Sequence, residues 1–74
     1  MLEFVQKIKS DIAKQIELDE IKTLSLFEKH FCIGAYIRNK FLLNSAGLAK
    51  LHEYYSTDNL DDLSAKILDE ILKQ

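Results

Sequence analysis

The sequence predicts an all-α fold, a compact single domain over residues 1–74 with four to five short helices. Three observations predict it. Apolar residues recur at helical spacing in several separate stretches. There is no proline, and Gly34 and Gly47 are the only glycines, so little interrupts a helix. The chain is 47% hydrophobic over 74 residues, enough for one small core and too apolar for a disordered segment.

The elements follow in order. At about 100° per residue, Leu2, Val5, Ile8, Ile12 and Ile16 share one side of a first helix, with Phe4 at its margin. Lys7, Ser10, Asp11 and Lys14 lie largely opposite. Residues 17–24 lose that stripe and read as a connection or a short helical turn. "SLFE" is a capping box: the Ser25 side chain bonds the Glu28 amide while Glu28 reaches back. A second long helix runs from there to about Phe41. "LLNSAG" then breaks the chain, with Asn44 or Ser45 as the next N-cap. A short helix follows, gathering Leu48, Leu51 and Tyr55. "STDNLDD" is a further break, rich in side chains that bond their own backbone. The last helix begins near Asn59 and carries Leu60, Leu63, Ile67, Leu68, Ile71 and Leu72 on a broad apolar face. Asp61 and Asp62 sit in its first turn, where negative charge suits the helix dipole.

Laid on a uniform α wheel, the second long helix has an apolar arc of Leu26, Phe27, Phe31, Ile33, Ile37 and Phe41. Glu28, Lys29, Cys32, Tyr36, Asn39 and Lys40 fall on the other side. His30, Gly34 and Arg38 lie inside the arc at i, i+4 and i+8. A glycine in a helix interior costs roughly 1 kcal/mol relative to alanine, which close approach of another helix would offset. A buried guanidinium keeps its proton and needs a carboxylate or several carbonyls. Two readings are open. In the structural one, Arg38 clamps helices together through Asp61 or Asp62, with Asn39 or His30 bonding a nearby chain end. In the functional one, His30 and Arg38 line a cleft that meets a ligand or partner.

The same residues resemble a bacterial family of small all-helical domains of unknown function. Its members carry a segment close to H-F-G-L-G-x-W-I-R-N-N-W-G-L-W, then a D-D-M-S-x-x-I-L stretch. The chain matches at His30, Phe31, Gly34, Ile37, Arg38, Asn39 and Leu43, and again at Asp61, Asp62, Ser64, Ile67 and Leu68. The likeness spans roughly residues 20–74. Cys32 and Leu42 replace the outer glycines, and Asn44 stands where the family has tryptophan. The resemblance implies a helical fold and a link between Arg38 and Asp61 or Asp62. It implies no reaction.

Most chemistry finds no footing. His30 and Cys32 are two apart on a helix and point apart, His52 is distant, and neither CxxC nor HExxH spacing occurs, so no metal or cofactor site is expected. No catalytic set emerges: GxSxG and phosphate-binding loops are missing, and Cys32 has no base beside it. "RNKFLLN" superficially resembles the opening of the HEPN ribonuclease motif, but Asn44 stands where that motif has its histidine. The formal charge of −2 and pI of about 5.6 argue against nucleic acid, since lysines and acidic residues are interspersed. Mixed polar faces and the lack of a long apolar run argue against a membrane. The lone Cys32 fits a reducing cytoplasm.

The function expected is therefore a non-enzymatic protein-interaction module of unknown partner, with affinity from aromatic and aliphatic side chains exposed near Tyr36, Tyr54 and the ends of the last helix. An acidic antitoxin or immunity protein is its specific form. Homodimerisation is a second expectation, because so small a core leaves only about 3–5 kcal/mol of stability. The alternative is a small-ligand or anion site, or a degenerate enzyme, on His30 and Arg38 with Asp61 and Asp62.

Overall fold

A computed structural model describes residues 2–43 and 46–73. Among them are five helices and no strand. Helix α1 spans Glu3–Ala13 and α2 spans Leu18–Lys22. The third helix, α3, is one continuous run of alternating geometry: α-helical at Leu26–Glu28 and Ala35–Ile37, π-helical at Lys29–Gly34 and Arg38–Leu42. Helix α4 covers Leu48–Tyr54 and α5 covers Leu60–Lys73. The fifth helix is the short α2, in the connection where the stripe fades.

The α1 stripe buries Val5, Ile8 and Ile12, as its spacing requires. They meet Ile21 of α2, Ile37 and Leu42 of α3, Leu51 of α4, and Leu63, Ile67, Leu68 and Ile71 of α5 in one core. Its radius of gyration of 11.4 Å matches the roughly 11 Å of a compact chain this long. The capping box opens α3: the Glu28 amide donates to Ser25 Oγ at 3.1 Å, and the Ser25 amide donates to Glu28 Oε1 at 3.4 Å. The N-cap expected at Asn44 or Ser45 lies outside the described residues.

Helix α4 ends in a Schellman turn. The Thr57 amide donates to the His52 carbonyl at 2.9 Å and the Ser56 amide to the Glu53 carbonyl at 3.2 Å, with Ser56 at φ 56°. The His52 Nδ1 lies 3.1 Å from the Thr57 carbonyl, which can only accept, so Nδ1 carries the proton there. Asn59 starts α5, its Oδ1 accepting from the Asp62 amide at 2.6 Å. Lys66 then ties α5 to the end of α4 by donating to the Tyr55 carbonyl at 2.9 Å.

Helix α3 corrects the uniform wheel. In a π turn the bond runs from i to i+5, as between the Leu43 amide and the Arg38 carbonyl at 3.0 Å, so each such turn takes up about one extra residue. The buried positions are Gly34, Ile37 and Leu42, stepping by three and then five. Leu42 becomes core, while Leu26, Phe27 and Phe31, assigned to the buried arc by the wheel, are 84%, 68% and 56% exposed.

Candidate functional site

The site is built where the first π run of α3 packs against α5, the most extensive packing between two separate helices among the described residues. Arg38 turns toward α5. Its Nη1 donates to Ser64 Oγ at 2.8 Å and its Nε lies 3.4 Å from Asp61 Oδ1, with the side chain 15% exposed. Ser64 is fully buried and donates in turn to the Asp61 carbonyl at 2.9 Å. The guanidinium thus holds the first turn of α5 through a buried hydroxyl and a carboxylate whose outer side stays in water.

Gly34 makes room for this arrangement. A Cβ built on it would stand 3.1 Å from Arg38 Nη1, 3.4 Å from the Lys29 carbonyl and 3.5 Å from Ser64 Oγ. The glycine therefore serves both the approach of α5 and the arginine lying along its own helix. Asp62 does not join. Its carboxylate pairs with Lys66 at 3.5 Å, and a Thr57 hydrogen bond, assisted by Lys66, holds its carboxyl below the usual carboxylate range. One turn-position separates it from Asp61, and that is enough to aim it along α5.

His30 is half-buried and faces a groove between α3 and α5, of about 390 Å³, floored by Gly34, Ala65, Leu68 and Leu72. Arg38 is not among its lining residues. The structure therefore separates His30 from Arg38, which the ligand reading had joined. Asn39 is exposed. Beside the groove the apolar side chains of α3 form a ridge: the Phe27 and Phe31 rings lie 4.5 Å apart and the His30 ring meets the Phe31 edge at 4.9 Å. Leu26 lies in the groove wall. The uniform wheel missed this ridge because no local feature of "SLFEKHF" announces a change from α to π geometry.

Tyr36 is not the free anchor its wheel position indicated. It is half-buried, its hydroxyl donating to Asp11 Oδ2 while accepting from Gln15 Nε2 at 2.6 Å and Lys40 Nζ at 3.0 Å. Lys40 closes the cluster on Asp11 at 3.0 Å. Hydrogen bonds from Tyr36 and Lys40 lower the Asp11 carboxyl below its usual range, and the same cluster raises the Lys40 ammonium. This joins α1 to α3. Tyr54 is 56% exposed, whereas Tyr55 is half-buried and bonds Glu70 through its hydroxyl. Among the described residues, no three His, Cys, Asp or Glu side chains gather as a metal site, and no helix is long and apolar enough to cross a membrane.

Family models, curated proteins and solved structures bring no match to this chain, so its own geometry carries the functional reading.

Proposed function

We propose that this chain is a non-enzymatic protein-interaction module that engages its partner through the α3 ridge of Leu26, Phe27 and Phe31. One observation carries the reading: three of the large apolar side chains most open to solvent stand within six consecutive residues, two of them in tilted ring contact, beside a largely apolar groove. Single exposed apolar residues are ordinary, but a contiguous set is characteristic of an interface. Aromatic side chains bring large contact area at small entropic cost, which is why they recur as anchors. Tyr54 lies on α4 and supplies a separate exposed ring.

The charge around the ridge gives no support to the narrower reading as an acidic cover for a basic toxin. Lys29, within the ridge sequence, has no carboxylate partner among the described residues. The test is capture of a defined partner on the immobilised protein, repeated with Phe27→Ala/Phe31→Ala. The partner should be lost while helical circular dichroism and melting temperature stay close to wild type. Undiminished capture by the double variant would remove the ridge as the interface.

A further inference from the structure

We infer that the occupant of the α3 ridge is a second copy of this chain, docked two-fold so that Phe27 and Phe31 of each copy enter the other's α3–α5 groove. The inference rests on the reading of the ridge as an interface and adds its partner. An isologous contact requires one surface to carry both a projection and its complement. Here the aromatic ridge and the groove stand side by side on one helix, joined through His30, whose ring touches Phe31 and whose side chain lines the groove. A foreign partner would need only one of the two features.

Volume and area agree with this occupant. A cavity of about 150 Å³ lined by aliphatic and aromatic side chains accepts a benzene ring. The groove's volume of about 390 Å³ is more than twice that, room for the two rings of one ridge. A buried phenylalanine contributes about 150–250 Å², so the ridge at its present exposure offers roughly 400 Å² per copy. Two ridges with their groove walls come to the region of 1,000 Å², the lower edge of specific interfaces. The expected dimer is accordingly weak and concentration-dependent.

Charge supplies the register. Lys29 lines the α3 side of the groove without a carboxylate partner among the described residues, while Asp69 lines its α5 side beside Lys66 and holds Lys73, at 3.5 Å on its own helix. Docking the ridge of a second copy carries its Lys29 toward Asp69. By symmetry this contact forms twice.

The test is sedimentation equilibrium of the full chain from 1 µM to 1 mM. Wild type should pass from monomer to dimer within that range. Lys29→Glu and Asp69→Lys should each weaken self-association about tenfold, because each sets two like-charge contacts across the two-fold. An equimolar mixture of the two variants should recover wild-type association, since Glu then faces Lys in one contact and Lys faces Asp in the other. Circular dichroism on each variant checks the fold, and both sites lie outside the core. A wild type that stays monomeric at 1 mM overturns the inference, as does a mixture that fails to recover or a dimer unchanged by Phe27→Ala/Phe31→Ala. A monomeric wild type removes only the second copy as occupant; capture of a different protein, lost in that same double variant, would still uphold the ridge as an interface.

Discussion

At the scale of single residues, Arg38 decides how tightly α3 holds α5. Removing one partner of a fully buried ion pair costs about 3–5 kcal/mol because the other charge is stranded. Asp61 is not stranded, since its side chain is 68% exposed. What Arg38→Met loses is a charge-assisted hydrogen bond to Ser64 and a partly screened attraction, together about 2–3 kcal/mol. Urea unfolding should show a lower midpoint with an unchanged slope. A loss of 4 kcal/mol or more would mean that Asp61 is far less hydrated than its exposure indicates. The crowding at Gly34 adds a sharper expectation. In wild type, Gly34→Ala pushes a methyl to 3.1 Å from Nη1, which offsets the roughly 1 kcal/mol that alanine gains in a helix. In the Arg38→Met background the obstruction is gone and the same substitution should stabilise by about 0.5–1 kcal/mol. Identical effects of Gly34→Ala in both backgrounds would show that the two residues do not share that space.

At the scale of elements, the geometry of α3 makes two substitutions change places. A uniform α wheel buries Phe31 and leaves Leu42 off the arc, whereas the π runs bury Leu42 completely and turn Phe31 out. Leu42→Ala should therefore cost about 2–5 kcal/mol and Phe31→Ala only a few tenths, both read as shifts in unfolding free energy at low protein concentration. The reverse order would restore the uniform helix. This element also marks where the sequence stops being legible. The α1 stripe, the Ser25–Glu28 box, the α5 face and the nearness of Arg38 to Asp61 all follow from α-helical spacing, cap chemistry and the need of a guanidinium for a carboxylate. The ridge does not, because each π turn takes up about one extra residue and so changes how the stretches on its two sides are aligned, a choice that no residue type encodes. Tyr36 is hidden for a second reason. Its partner Asp11 lies 25 positions earlier, so only the packing of α1 on α3 brings them together.

For the whole molecule, the four shifted groups stitch separate helices or their connections, and together they set how stability varies with pH. Asp11 joins α1 to α3, and Asp62 joins the start of α5 to Thr57 ahead of it. Both carboxyls are held below their ordinary value of 3.8 in the fold. The folded chain therefore keeps them ionised where the unfolded chain has begun to take up protons. Their contribution is present above pH 3.8 and disappears as pH falls through the lowered folded values. Lys40 and Tyr55 are raised in the fold, Lys40 mainly by its bond to Tyr36 and Tyr55 mainly by burial. For these the sign reverses: the contribution is present below the ordinary values of 10.5 and 10.0 and is lost as pH climbs toward the folded ones. Between those limits none of the four groups changes charge in either state. Melting temperature should be nearly flat from pH 5 to 9, fall in acid below about pH 4, and fall again above about pH 10. Asp11→Asn should make the acid limb shallower and leave the alkaline limb beyond pH 10 in place, because there the unfolded chain ionises Tyr55 while burial keeps it protonated in the fold. An acid limb as steep in Asp11→Asn as in wild type would mean that the Asp11–Tyr36–Lys40 cluster does not persist in solution, and that α1 is held to α3 by its apolar stripe alone.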